Sequence, residues 1–200
     1  QLMDLPAFIG DMKNLAKLYI THCNSLEYIP TEIWKLRKLK ELQIDLCKLL
    51  TVLPNEIGFL SALRTLDICF CNALERLPPT IGALEQLEIL KLRNNSSLQS
   101  IPKEIGMLNS LQNLLIEDCE SLTVLPDEIG QLSRLQILTL ICCRGLERLP
   151  STMGELQHLS KLKICSCDNL QSLPPSILDL TELQSLEHEN LPEELICAFF

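Results

Sequence analysis

The sequence predicts an α/β solenoid, a horseshoe with a parallel β-sheet on its concave side and an irregular, 3-10 or short-helical convex side. Three observations predict it. Leu15, Leu39, Leu63, Leu87, Leu111, Leu135, Leu159 and Leu183 stand 24 residues apart without a slip. Eight of the eleven prolines share one phase of that period, and six of the seven glycines share another. Leucine accounts for 45 of the 200 residues while aromatics reach only 4%, a balance that excludes disorder, which requires few large aliphatics. A fixed period of this length marks stacked supersecondary units, none of which can bury its apolar face alone.

Each part of the unit has a physical reading. It runs L-x-x-L-x-I-x-x-C-x-x-L-x-x-L-P-x-x-I-G-x-L-x-x, and its L-x-I alternation has period two. This predicts a short strand with apolar residues on one side, Leu18 and Ile20 in the first copy. Stacking then builds a parallel sheet over a continuous core. The phase Cys23, Cys47, Cys71, Asn95, Cys119, Cys143, Cys167 follows the strand where the backbone turns inward. A small polar group there can serve backbone N–H and C=O groups that the ladder leaves unpaired. Pro6, Pro30, Pro54, Pro78, Pro102, Pro126, Pro150 and Pro174, with the glycines, shape the return on the convex side. Trp34 and Leu178 stand at two of the glycine positions.

Along the chain, residues 1–200 read as one domain. Residues 1–14 form a partial repeat, 15–182 seven full 24-residue repeats, and 183–200 a last strand with a C-terminal cap. No amphipathic N-cap precedes this partial repeat, so an open apolar edge is expected. After Leu186 the pattern fails: His188 stands where Ile is expected and Leu191 where Cys is expected. Leu191, Leu195, Ile196, Phe199 and Phe200 suggest a capping turn or helix. Because residue 1 is not Met, the chain reads as a piece of a longer one. A second period sits above the first, since residues 39–110 and 111–182 share 34 identities in 72. The matched pairs Thr51-Val52 with Thr123-Val124, Glu75-Arg76 with Glu147-Arg148, and Gln99-Ser100 with Gln171-Ser172 indicate a duplicated block of three repeats.

Composition narrows the function. A net charge of −9 and a pI near 4.9 argue against a nucleic-acid binder, which needs a basic face. No apolar run approaches the roughly 18 residues of a membrane span. His22, His158 and His188 fall in different phases, so no nucleophile–base–orienter set forms and no enzyme activity is expected. Neither G-x-x-x-x-G-K-[ST] nor G-x-G-x-x-G occurs, and the sequence calls for no cofactor. The cysteine spacing is explained by the repeat rather than by a disulfide framework, and a reduced cytoplasmic location fits it. In the C-x-C pairs Cys69/Cys71 and Cys165/Cys167 the first thiol should face solvent and the second the core. They therefore do not converge on a metal. Cys69, Cys142 and Cys165 are expected to be exposed thiols.

In a parallel stack, equal phases become neighbours, so the outward strand positions form rows. One row reads Tyr19, Gln43, Asp67, Lys91, Leu115, Thr139, Lys163, Glu187. The flanking rows run from Lys17 to Ser185 and from Thr21 to Glu189. Opposite charges are expected side by side, Lys17 by Glu41, Asp67 by Lys91, Arg93 by Glu117 and Lys163 by Glu187. Between them lie Ile89, Leu115, Ile137 and Ile141, with Phe70 at the flank. Clustered exposed apolar residues more often mark contact surface than scattered ones do. The expected partner-binding face is therefore Phe70, Ile89, Lys91, Arg93, Leu115, Glu117, Ile137, Thr139 and Ile141.

The unit is the leucine-rich repeat signature. In the form C-x-x-L-x-x-L-P-x-x-I-G-x-L, as in Cys47 to Gly58 and Cys119 to Gly130, it resembles the repeats of plant intracellular nucleotide-binding disease-resistance proteins, the NLR immune receptors. The resemblance covers nearly the whole chain. It implies a domain that recognises a pathogen effector or a guarded host protein and restrains an adjacent nucleotide-binding module of the same chain. Free-standing intracellular scaffolds of small-GTPase or kinase signalling, with 23-residue N-x-L-x-x-L-P repeats, are the nearest alternative. The substrate-reading part of a ubiquitin ligase is another.

Overall fold

The computed structural model describes residues 7–189. The five-residue strands are β1 (Lys17–Thr21), β2 (Glu41–Asp45), β3 (Thr65–Cys69), β4 (Ile89–Arg93), β5 (Asn113–Glu117), β6 (Ile137–Ile141), β7 (Lys161–Cys165) and β8 (Ser185–Glu189). They pair in chain order, all parallel, into one open sheet. Register advances by one repeat per strand, so Leu42 lies opposite Leu66 and Leu90 opposite Leu114. This is a solenoid, with each coil touching only the coils before and after it.

The period of 24 matches the core directly. In the coil from Leu87 to Ser110, Leu87, Leu90, Leu92, Leu98, Ile101, Ile105 and Leu108 all point inward and are buried. Neighbouring coils repeat the set and form one continuous aliphatic column. Each fully buried Leu or Ile contributes about 1.5–3 kcal/mol before conformational entropy is subtracted. Phe8 and Met12, in the first described coil, are exposed. At the other end His188 occupies the register of Ile164 and is exposed. The proposed cap over 190–200 lies outside the described residues.

Opposite the strands, each coil returns through a short 3-10 turn, such as Asn55–Phe59 or Lys103–Met107. No α-helix occurs among the described residues. Spacing explains this. Strands stack about 4.8 Å apart, whereas packed α-helices need 8–10 Å between axes. A narrow 3-10 turn suits the tighter spacing. Proline precedes each complete turn and its carbonyl accepts the first i+3 bond, as in Ile105 N–H to Pro102 O at 3.0 Å. Where glycine stands in this phase, the next coil approaches too closely for a Cβ. A Cβ on Gly82 would lie 2.5 Å from the Glu104 carbonyl oxygen of the next coil, and one on Gly130 would lie 2.5 Å from that of Thr152.

Left-handed backbone falls elsewhere, on the residue just after each of β1 to β7. His22, Leu46, Phe70, Asn94, Asp118, Cys142 and Ser166 all have φ between 50° and 58°. No glycine has positive φ among the described residues. The conformation costs a non-glycine residue about 1–2 kcal/mol. Each of these residues extends the ladder by one bond, for example Phe70 N–H to Arg93 O at 3.0 Å, and then swings the chain inward.

The inward swing delivers the Cys/Asn phase into the core. The Cys119 thiol lies 3.7 Å from the Leu92 carbonyl and 3.5 Å from that of Glu117. Asn95, fully buried, makes the same bridge with better geometry. Its Oδ1 accepts from the Cys71 N–H and its Nδ2 donates to the Ile68 carbonyl, both at 3.0 Å. Asn95→Cys is therefore expected to stay within about 1 kcal/mol of wild type in urea unfolding, while Asn95→Ala loses about 1–3 kcal/mol because a buried N–H and C=O are left unpaired. Cys119→Lys should unfold the middle coils, since nothing there pairs a buried ammonium; a folded lysine variant would refute the bridging role.

Candidate functional site

The outward side chains of the sheet form three rows, fixed by register. Across β4, β5 and β6 the alignment is Ile89–Asn113–Ile137, Lys91–Leu115–Thr139 and Arg93–Glu117–Ile141. All nine side chains are half-buried. A five-residue strand holds each outward residue by its inward neighbours, here Leu90, Leu92, Leu114, Ile116, Leu138 and Leu140, which are fully buried. The face is thus carried on rigid backbone. It brings together the residues that the sequence proposed and adds Asn113, which parts Ile89 from Ile137. Phe70 lies beside this block rather than in it. It is 41% exposed and lines a groove of about 200 Å³ with Asn72, Asn94, Ser96, Asp118 and Glu120. The signal for that groove is the left-handed row, which the sequence does not mark because its residues share no type.

Two of the expected ion pairs form and two are replaced. Lys17 meets Glu41 at 2.6 Å, and Lys163 meets Glu187 at 3.1 Å. Lys161 also bonds Glu187, so two ammonium groups share one carboxylate. Asp67, however, is held by Arg93 and not by Lys91. Arg93 Nη2 donates to Asp67 Oδ2 at 2.7 Å, and Nε donates to Oδ1 at 3.3 Å. The planar guanidinium reaches diagonally across the strands and satisfies both oxygens, which an ammonium cannot do. The expected Arg93–Glu117 pair is displaced for the same reason.

These contacts shift titration. Hydrogen bonds from Lys17 and Tyr19 hold the Glu41 carboxyl below the usual range, and those from Lys161 and Lys163 do the same for Glu187. Burial works against the Arg93 guanidinium, but the Asp67 hydrogen bonds and charge outweigh it and raise its pKa.

The expectation of exposed thiols is corrected at two positions. Cys69 and Cys165 are buried, at 5% and 9% exposure, although both are last residues of strands whose outward neighbours face solvent. Each is a small side chain between larger ones, Cys69 between Asp45 and Arg93 and Cys165 between Ile141 and Glu189. Its neighbours close over it. Cys142 is partly exposed, as is Cys23. Burial pushes the Cys69, Cys142 and Cys165 thiols up, and pushes Cys119 up to about 12.

Among the described residues no three His, Cys, Asp or Glu side chains converge as metal ligands, and no helix is long and apolar enough to cross a membrane. His158 is exposed and 3.1 Å from Glu182 on the adjacent coil, remote from His22 at the end of β1 and His188 on β8.

An open stack of 24-residue coils, with rows of variable side chains on one sheet, defines the architectural class as a leucine-rich repeat solenoid. Solved structures agree. The leucine-rich repeat domain of the type III effector XopL matches with TM-score 0.72 and 26% identity over 94% of this chain and 73% of that one. A leucine-rich repeat protein of Leptospira interrogans matches with TM-score 0.55 and 29% identity over 96% of this chain and 66% of the other, just under two thirds of its length. No family model matches the sequence, and no curated protein sequence does either.

Two outcomes are expected. Glu41 and Glu187 have depressed folded-state pKa values, so their stabilising pairs are complete above the ordinary carboxylate range and are lost as pH falls through the folded values. The thermal midpoint should therefore drop on acidification, and Glu187→Gln should lessen that drop; an identical profile for the variant would show that the pairs are idle. Second, timed labelling of the native protein with a thiol reagent should modify Cys23 and Cys142 before Cys69, Cys165 or Cys119, as read by peptide mass spectrometry; early labelling of Cys69 would contradict its burial.

Proposed function

We propose that residues 1–200 belong to a single leucine-rich repeat domain of a plant intracellular immune receptor. It binds a pathogen effector or guarded host protein and restrains a neighbouring nucleotide-binding module of the same chain. The binding face is the block over β4 to β6, Ile89, Lys91, Arg93, Leu115, Glu117, Ile137, Thr139 and Ile141, with Phe70 beside it. The domain is not an enzyme and needs no cofactor. It works in the cytoplasm, where its thiols stay reduced.

The observation that carries the reading is the exposed sheet face. Four aliphatic side chains, Ile89, Leu115, Ile137 and Ile141, sit half-buried on adjacent strands where solvation would favour polar residues. Half-exposed aliphatics on a rigid base gain hydrophobic free energy from a partner at little cost in ordering. The assignment to the immune-receptor class rests on the C-x-x-L-x-x-L-P-x-x-I-G-x-L form of the repeats, whose Cys/Asn bridge and glycine contact are both used by this chain.

The test places a photo-crosslinking amino acid at Thr139 and exposes the protein to leaf extract. A discrete adduct is expected, absent in the Leu115→Glu/Ile137→Glu double variant, whose melting curve should match wild type. An adduct of undiminished yield in the double variant would remove this face as the binding site.

A further inference from the structure

The duplicated pairs of the sequence meet on one flank of the solenoid, away from the outward rows of the sheet. Thr51-Val52, Glu75-Arg76 and Gln99-Ser100 belong to the coils of β2, β3 and β4, and Thr123-Val124, Glu147-Arg148 and Gln171-Ser172 to those of β5, β6 and β7. Backbone bonds between coils hold them in a row. Glu75 N–H donates to Thr51 O at 3.2 Å, and Gln99 N–H to Glu75 O at 2.9 Å. In the second block Glu147 N–H donates to Thr123 O, and Gln171 N–H to Glu147 O, both at 3.0 Å. All these side chains are exposed except the half-buried Val124. Among the described residues none of Glu75, Arg76, Glu147 and Arg148 forms an ion pair within the chain. The coil itself does not require these residue types, since they differ between adjacent coils. Duplication alone does not account for them either. Of the nine outward sheet positions that the two blocks share, only Lys91 and Lys163 agree, whereas all six flank residues agree.

We propose that this flank binds the same flank of a second copy of the chain, about a two-fold axis that passes between the coils of β4 and β5. The order Thr-Val, Glu-Arg, Gln-Ser, present twice, is self-complementary when read antiparallel. In the register that overlaps all six coils, the β3 coil of one copy faces the β6 coil of the other. Glu75 and Arg76 then meet Arg148 and Glu147 of the second copy, two charges of each sign. The Thr-Val pairs of β2 and β5 face the Gln-Ser pairs of β7 and β4, so hydroxyls meet amides. Neighbouring charges match in the same register: Lys48 faces Asp168 and Lys103 faces Asp127, all four exposed. The axis makes every match twice. One like-charged match stands against them, Glu104 with Glu128, both half-buried. Within the chain Asp168 has only a distant cation, Arg144 Nε at 3.7 Å. Asp127 lines a groove of about 440 Å³ with Val124, Arg148 and Ser151, which receives the Lys103 side chain of the second copy. Six coils span about 24 Å and each offers about 20 Å of flank, so about 500 Å² is covered on each copy. That lies below a standard interface, and the pairing is therefore weak and concentration-dependent. Exposed ion pairs add little strength one by one; here they set the register and penalise other alignments. The sheet face takes no part, so the inference does not rest on the proposed binding site.

Sedimentation velocity of the whole 200-residue chain, between about 5 and 500 μM at low salt, tests the pairing. The sedimentation coefficient is expected to rise with concentration from the monomer toward the dimer, and less so at about 0.5 M salt. Arg76→Glu/Arg148→Glu and Glu75→Arg/Glu147→Arg should each weaken self-association at least tenfold, with melting curves unchanged. An equimolar mixture of the two variants should associate again, because each then supplies the charge that the other lacks. Lys13→Glu/Lys35→Glu changes the net charge as much as the arginine variant but leaves this flank intact, and should associate like wild type. A chain that stays monomeric at the highest concentration would overturn the proposal. So would association that neither flank variant weakens, a mixture that stays monomeric, or an equal loss in the Lys13/Lys35 variant. If Leu115→Glu/Ile137→Glu abolishes self-association and the flank variants do not, the copies meet through the sheet face and the flank has no such role.

Discussion

One spacing governs this molecule: parallel strands hydrogen-bond about 4.8 Å apart, and every other part of the coil must accept it. The aliphatic interior meets it with side chains of one size repeated at one phase. The back of the coil meets it with 3-10 turns that are narrower than α-helices, and with glycines where a Cβ would run into the carbonyl of the next coil. The corner after the strand meets it with a left-handed residue and a small polar side chain that bridges two backbone groups. Trp34 departs from the glycine phase, and the ladder from β1 to β3 stays complete on the other side of the coil.

That constraint also makes an open surface. Inward positions are locked by packing and return positions by close approach. The outward strand positions are bound by neither, so they are free to differ from coil to coil while keeping fixed geometry. On the face over β4 to β6 this freedom gathers Ile89, Leu115, Ile137 and Ile141. The same rigidity bears on affinity, since side chains on β-strands held by buried neighbours lose little freedom when a partner arrives.

The charged rows illustrate the limit of neighbour logic. Register places Lys91 opposite Asp67 and Glu117 opposite Arg93, but side chains pair by reach and fork geometry, not by register alone. Arg93 spans the diagonal to Asp67, and Lys161 joins Lys163 on Glu187. The redistribution changes which charges stand paired, which a list of residues by row does not reveal.

The sequence by itself determined the repeat, the strand positions, the inward faces and the row membership of each outward side chain. All of these follow from periodicity, and a period of 24 with in-phase leucines admits only one stacking. It also marked the Cys/Asn phase as a buried bridge, because a small polar residue at a fixed place among aliphatics has few other uses. Tertiary structure alone decided the rest. The left-handed corners carry His, Leu, Phe, Asn, Asp, Cys and Ser in turn, so no residue type announces them; the ladder bond made there imposes the conformation. Cys69 and Cys165 looked exposed from strand alternation, yet they are buried, because exposure depends on the size of the neighbouring side chains across the sheet as well as on the face. Which carboxylate each base chooses was settled likewise by three-dimensional reach, a property of side chains in place rather than of their order along the chain.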